Sequence, residues 1–264
     1  MLKMFFFILI IIIFYYQINK LFRTFYVYNT FDNINTNEFK ILTYNIQRLP
    51  YLFRPELNIN NLLESYDIIC LQENFCPIFG FNKVNYTSII PSSPFYKIVN
   101  SGLSIYSKYP IEYIDFVKFD NLKSIDRMSD KGFLVVKILD TYIINTHLQA
   151  CYNFKEHHIN ETNHNLHNII QYCKKYKKVL ICGDFNLELN NLIIDDYNKI
   201  VTNEPTHWHS MNSIFNESSA TKKDKYYPFY FDGGIYKNLN INNIKTVNHD
   251  IYTDHLGVSF NLIL

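Results

Sequence analysis

The chain has 264 residues, a formal net charge of +1 and 19% charged residues, with no acidic or basic block. That length suits one large domain with a full core, and the charge pattern gives no support for a strongly basic nucleic-acid surface, although it leaves room for a local patch. Five scattered cysteines without a CxxC indicate neither a zinc site nor a disulfide framework. Residues 1–28 then stand apart. Lys3 precedes an uncharged run, residues 4–16 (MFFFILIIIIFYY), and Lys20 and Arg23 follow. A bilayer core needs about 20 apolar residues, which the run reaches if residues 17–22 continue it with Lys20 snorkelling. Bulky residues occupy the place where a signal peptide would present small ones, so the reading is an uncleaved signal anchor, a transmembrane helix, with secretion after cleavage as the alternative. Residues 29–38 are polar and Asn-rich and read as a linker to a domain spanning 39–264.

Within the domain, residues 39–45 (FKILTYN) form a predicted strand ending in Asn45, and 47–55 a loop. Ile59, Leu62 and Leu63 suggest a short helix over 59–65. A second strand, 66–73 (YDIICLQE), ends in Gln72 and Glu73. Residues 75–94, rich in Pro, Gly and aromatics, read as loops, and 102–107 as a strand. Residues 126–139 and 142–147 pattern as a hairpin about Asp140-Thr141, whose second strand ends in His147, followed by Leu148, Gln149 and Ala150. Leu166, Ile169, Ile170, Cys173 and Tyr176 recur at helical spacing, predicting a helix over 161–178 with lysines at its C-terminal end. The histidines at 164 and 167 are three apart, but a polar helix face accounts for them. The run VLICGDFNLE at 179–188 is a short buried strand opening into Gly183, Asp184, Phe185 and Asn186. Alternation points Asp184 and Asn186 one way and Phe185 the other. Residues 193–200 read as a helix, and 204–216 as a loop carrying His207, Trp208 and His209, of which His207 and His209 could touch substrate but read by default as loop surface residues. Residues 226–231 (YYPFYF) lead into Asp232, and Asp254-His255 precede a strand at 256–262.

Polar side chains thus recur at strand ends: Asn45, Glu73, His147, Asp184 with Asn186, and Asp254 with His255. Any one of these is satisfied by turn chemistry, since Asp and Asn favour turns. If the ends converge, the set is that of a hydrolytic metal site, because hard divalent cations take carboxylate and amide oxygens.

The ordered set Asn45, Gln72-Glu73, Thr146-His147, Gly183-Asp184-Phe185-Asn186 and Asp254-His255 resembles the endonuclease/exonuclease/phosphatase superfamily over roughly residues 39–264. The Ser107–Ile111 turn resembles that group's S-K/R-x-P-I turn. Lys131-Gly132 and His147-Leu148-Gln149-Ala150 resemble its neutral sphingomyelinase branch. Gly233-Gly234 after Asp232 departs from the Asp-Tyr/Arg-Ile pattern usual there.

The resemblance implies an α+β fold, a four-layer α/β/β/α sandwich, and metal-dependent phosphodiester hydrolysis by a monomer. Asn45 and Glu73 are expected to hold Mg²⁺, with Mn²⁺ as a substitute. Asp184 and Asn186 are expected to orient water or phosphate, and His255, braced by Asp232, to act as base or phosphate donor. Asp254 is expected to bind a second ion or brace His255, His147 to donate to the phosphate or leaving oxygen, and Lys131 and Gln149 to touch substrate. The expected substrate is a phospholipid at a membrane. A DNase-like or abasic-site nuclease, an inositol polyphosphate phosphatase and an inactive binding protein are the alternatives. A nuclease would carry basic loops beside the site, and the sequence offers Lys222, Lys223 and Lys225.

Overall fold

The computed structural model describes residues 36–48, 62, 64–75, 87–91, 99–150, 156–207, 228–248 and 253–264. The predicted anchor, most of the linker, the loop at 49–55, Trp208, His209 and the lysines at 222–225 lie outside the described residues. Among the described residues no helix is long and apolar enough to cross a membrane.

Among the described residues twelve strands run in chain order as β1 (Glu38–Arg48), β2 (Ile68–Asn74), β3 (Thr87–Ile89), β4 (Ser104–Ser107), β5 (Glu112–Lys118), β6 (Gly132–Ile138), β7 (Thr141–His147), β8 (Val179–Asp184), β9 (Asn198–Ile200), β10 (Asp232–Lys237), β11 (Asn240–Val247) and β12 (Gly257–Ile263). One long helix, α1 (Glu156–Cys173), joins β7 to β8. The strands form two six-stranded sheets, ordered β11-β12-β1-β2-β4-β3 and β5-β6-β7-β8-β10-β9.

Period-two alternation explains how the sheets stack. Phe39 and Ile41 of β1, Ile68 and Cys70 of β2, Ile143 of β7, Leu180 and Cys182 of β8, and Val258 and Phe260 of β12 share one core cluster, so these rows face the space between the sheets. The intervening rows face outward. Leu42, Tyr44, Ile69 and Leu71 cluster with Leu62. Ile144, Val179, Ile181 and Ile235 cluster with Leu166, Ile169 and Cys173 of α1, which therefore covers the second sheet. The sandwich expectation holds for both sheets and this helical layer; over the first sheet only residues 62, 64 and 65 show helical backbone among the described residues.

A buried amide pair ties the sheets together. Gln72 Nε2 donates to Asn145 Oδ1 at 2.7 Å, and Asn145 Nδ2 donates to the Leu71 and Ser104 carbonyls. Both side chains are fully buried, so these directional bonds fix β7 against β2 in a way apolar contact alone would not.

Several boundaries differ from expectation. The helix spans 156–173 rather than 161–178. Its first turns bury His158, Glu161, Thr162 and Asn165, so polar residues hide its true start. Tyr176 stacks on Tyr142 beyond its end, mimicking another helical turn. Lys174–Lys178 consequently follow the helix instead of complementing its dipole, because Lys178 must already accept a bond from the Tyr142 N–H to start β8. Residues 193–200 are not helical: Ile193 is exposed, and 198–200 form edge strand β9 on β10. Strand β3 lies within the stretch expected to be loops. The hairpin strand begins at Gly132, and Ser124–Met128 is a 3₁₀ turn.

Two glycines make the central register possible. A Cβ on Gly183 would sit 1.9 Å from the Thr146 carbonyl oxygen, and one on Gly233 would sit 2.3 Å from that of Ile200, both at φ +149°. Gly233 thereby allows β9 to pair with β10, which accounts for the departure from the superfamily pattern. Gly183→Ala is expected to lower stability by roughly 3 kcal/mol or more, since β7 and β8 must separate. An unchanged urea midpoint would show that the approach is relaxed at no cost.

Candidate active site

Strand direction brings the site together. β1 is parallel to β2, and β7 is parallel to β8, so Asn45, Glu73, His147 and Asp184 all sit near C-terminal ends. β10 is antiparallel to β8, with Asp232 opposite Asp184, and β12 is antiparallel to β1. Asp232 at the start of β10, and Asp254-His255 just before β12, therefore arrive at the same edge. Asn45, His147 and Asp184 continue inward-facing rows past the apolar core.

Glu73 does not follow from alternation, because its neighbour Gln72 takes the inward position. A left-handed backbone at Glu73, φ 52°, re-aims its carboxylate toward Asn45. Asn45 Nδ2 donates to Glu73 Oε1 at 3.0 Å and to Asp184 Oδ2 at 2.9 Å, while Asn45 Oδ1 accepts the Gln47 N–H. The amide therefore holds two carboxylates in place with its nitrogen, and its oxygen is engaged by the backbone.

Asp184 is the hub. Its Oδ2 lies 3.5 Å from His147 Nε2 and 3.8 Å from His255 Nε2, and its Oδ1 accepts the Asn186 N–H at 2.9 Å. Asn186 also sits in the left-handed region, φ 49°, and donates from Nδ2 to the Leu148 carbonyl. Phe185, facing the other way, is buried against the α1 layer. On the far side, His255 Nδ1 and Asp232 Oδ2 are 2.7 Å apart. The Thr206 hydroxyl accepts the Asp232 N–H. The Thr253 hydroxyl donates to the Asn45 carbonyl and accepts the His255 N–H, clamping the His255 turn onto β1.

Lys131 and Gln149 are placed inward. Lys131 is 4% exposed, not a surface lysine, and its Nζ bonds the Leu148 carbonyl at 2.8 Å and pairs with Asp126 at 3.1 Å. Gln149 is fully buried; its Nε2 donates to Asp126 and its Oε1 accepts the Lys123 N–H. Both hold the segment after His147, through an Asp126 that sequence reasoning did not single out. His207, read as a loop surface residue, is also buried. Its Nε2 lies 3.5 Å from Asp254 Oδ2, and its ring centroid 4.5 Å from that of His255. Thr253, a turn-favouring residue directly before Asp254-His255, had a local signal that could have marked it. His207 and Asp126 had none.

The titration behaviour follows from burial and charge. Burial pushes the Glu73 carboxyl up to about 7 against the Asn45 hydrogen bond. Burial, with Lys131 nearby, lowers His147 to about 4, so its ring is neutral near pH 7. Burial alone would lower His255 too, but the Asp232, Asp184 and Asp254 carboxylates outweigh it and raise its pKa well above the ordinary imidazole value. For Asp184 burial opposes ionisation, and His147, His255 and Asn45 together hold it below the carboxylate range.

A divalent cation fits this donor set. Glu73, Asp184, Asp232 and Asp254 crowd one edge, and Asp232 Oδ1 is buried without a hydrogen-bond donor among the described residues. Such an excess of buried acceptors calls for positive charge. Glu73, with Asn45 orienting it, could hold a hard ion, since Mg²⁺ uses one or two carboxylates and keeps its waters.

A two-sheet sandwich with carboxylates, an amide and two imidazoles gathered at one edge of its strands defines a class, that of phosphoester hydrolases. The chain belongs to the endonuclease/exonuclease/phosphatase family, whose model matches residues 42–213. It is 31% identical over 118 residues to a sphingomyelinase of Dictyostelium discoideum, covering 35% of this chain and 26% of that protein. It is 29% identical over 171 residues to sphingomyelinase C 2 of Leptospira interrogans, covering 59% of this chain and 27% of that protein. The match thus spans about a quarter of each relative. Among solved structures, TDP2 of D. rerio complexed with a single-stranded DNA product superposes with a TM-score of 0.60 at 14% identity, covering 86% of this chain and 99% of that one. A beta toxin variant from Staphylococcus aureus with bound magnesium ions does so with a TM-score of 0.57 at 17% identity, covering 84% and 99%. These likenesses establish the fold.

Proposed function

We propose that the protein hydrolyses a phosphodiester with the aid of Mg²⁺, and that the substrate is a sphingomyelin-like phospholipid. The observation that carries the chemistry is the convergence of the Asp232–His255 pair, Asp184 and the Asn45–Glu73 pair on one edge. When bound, the ion supplies a Lewis acid that offsets charge developing on the phosphate oxygens. The residues do the rest. Asp232 fixes the His255 tautomer, with the proton on Nδ1, and directs Nε2 into the site. Asp184 and Asn186 orient the attacking water. A deprotonated His255 takes the proton from that water, so activity rises only as pH passes the raised His255 pKa. Neutral His147, with Asp184 beside Nε2, presents an N–H as a hydrogen-bond donor to the phosphate, and the alkoxide released as the bond from phosphorus to the leaving oxygen breaks takes its proton from solvent water.

The lipid reading is supported by the two sphingomyelinase relatives and by the apolar run at residues 4–16, which we propose as a single-pass anchor holding the site, in a catalytic domain over 39–264, near a membrane. The test presents sphingomyelin liposomes and plasmid DNA side by side to the full chain with Mg²⁺, with an Asp184→Asn variant as control. Phosphocholine release without nicking is the expected result. Nicking without lipid cleavage would move the protein to the nuclease reading, and silence on both in a folded protein would refute phosphodiester cleavage of either kind.

A further inference from the structure

The histidine at 207 has no part in the chemistry above, yet it is buried beside it. Asp254 lies between two imidazoles: Oδ2 is 3.5 Å from His207 Nε2, and Oδ1 is 3.8 Å from His255 Nε2. One ligand atom from each of the three residues falls within 4.8 Å of the others, and all three side chains are buried. Two ligands bound about 2.0 Å from a tetrahedral ion sit about 3.3 Å apart, so the two carboxylate–imidazole approaches, made by different oxygens of Asp254, must tighten together with the imidazole–imidazole edge, which lies within 4.8 Å. The other nitrogen of His255 already faces the Asp232 carboxylate at 2.7 Å, the outer-shell arrangement that orients imidazoles toward metals. The carboxylate between the two rings disfavours an anion at this position. Phe229 and Phe231 pack against the His207 ring, limiting its freedom to turn away.

We propose that His207, Asp254 and His255 form a second, softer metal site that takes Zn²⁺ or a similar transition ion. Two imidazoles and one carboxylate with an open fourth position match Zn²⁺, whereas Mg²⁺ prefers all-oxygen sites. The site is distinct in ligand type from the Glu73 position; it shares His255 with the chemistry and draws Asp254 from the carboxylates gathered at that edge. Zn²⁺ on His255 Nε2 occupies the lone pair that would accept the proton from water, so it switches hydrolysis off while Mg²⁺ remains bound. That consequence rests on the proposed role of His255; occupancy of the site does not.

Occupancy is read without turnover. Co²⁺ added to the full chain at saturating Mg²⁺ is expected to give the intense visible bands of a tetrahedral ion, displaced by one equivalent of Zn²⁺. Only the weak bands of an octahedral ion would overturn the proposal. His207→Gln and His207→Phe, each checked for folding by its Mg²⁺-dependent melting shift, are expected to lose the bands and to weaken Zn²⁺ binding more than about 100-fold, beyond the loss of an outer-shell partner. Persistence of the bands in either folded variant would also overturn it. Should neither variant fold, anomalous scattering at the zinc edge from crystals of the unsubstituted chain decides: an ion between His207, Asp254 and His255 supports the site, and an ion elsewhere refutes it. Inhibition by Zn²⁺ that tracks occupancy then tests the regulatory role, and full activity at full occupancy would confine the site to structure.

Discussion

His255→Ala is expected to lower kcat for phosphodiester cleavage by about 10³-fold while the melting curve stays cooperative, since general base catalysis is typically worth about 10²–10⁴-fold. Asp232→Asn should cost less, about 10²-fold, because it removes the partner that fixes the tautomer but leaves the imidazole. The pH profile separates the possible roles. Asp232, Asp184 and Asp254 raise His255 above its ordinary value of 6.5 against the effect of burial. A base must first lose this proton, so activity should rise with pH along a limb above 6.5. Asp232→Asn should move that limb toward lower pH. Stability changes in the opposite sense: a raised imidazole pKa contributes stability that is fully present below about 6.5 and is lost as pH rises through the folded value. The melting temperatures of parent and Asp232→Asn should therefore converge at alkaline pH. If activity instead falls as His255 deprotonates, the ring acts as a cationic phosphate donor and the base role is lost.

The parts of the site that alternation could reach were legible in the residues. On β1, β7 and β8 the apolar inward row runs directly into Asn45, His147 and Asp184, so locating the strands located the side chains. Asp232 was reached through the resemblance, and the structure sets it opposite Asp184; the glycines behind it looked anomalous until the close approach of Ile200 was known. Glu73 was marked by its place at a strand end, but strict alternation would aim it away from Asn45, because its carboxylate is re-aimed by a positive φ that no local pattern announces. Lys131 and Gln149 show the converse. They stand at strand ends like the others, but Asp126 draws both inward, and a carboxylate five residues before Lys131 reveals nothing of that in the sequence. His207 lies in an irregular segment whose burial depends on Phe229 and Phe231 arriving from elsewhere in the chain. Helix α1 was misplaced for a related reason: its first turns bury polar groups that bond across to the segments at 124 and 149, a tertiary effect that inverts the hydrophobic pattern.

The second large effect is expected at Glu73. Burial, opposed by the Asn45 hydrogen bond and reinforced by Asp254, raises its carboxyl from 4.5 to about 7. Without a cation, this group contributes stability that is present below about 4.5 and is lost as pH rises through about 7, a difference on the order of 3 kcal/mol. Glu73→Gln removes that cost, because the buried amide carries no charge. The variant should therefore be more stable than the parent at pH 8 without metal, and the two should draw level near pH 4.5. Added Mg²⁺ reverses the order. The ion needs the carboxylate, so it should raise the parent's melting temperature at pH 8, do so progressively less as pH falls below 7, and leave Glu73→Gln unmoved throughout. Calorimetry of the parent near pH 6.5 should show a fraction of a proton released per ion, because the bound cation displaces the one held on Glu73. A structural carboxylate predicts the opposite pattern: Glu73→Gln would be less stable than the parent at pH 8, and Mg²⁺ would shift both melting curves equally. That result would move the hard-cation site away from Glu73 and onto the carboxylates around His255.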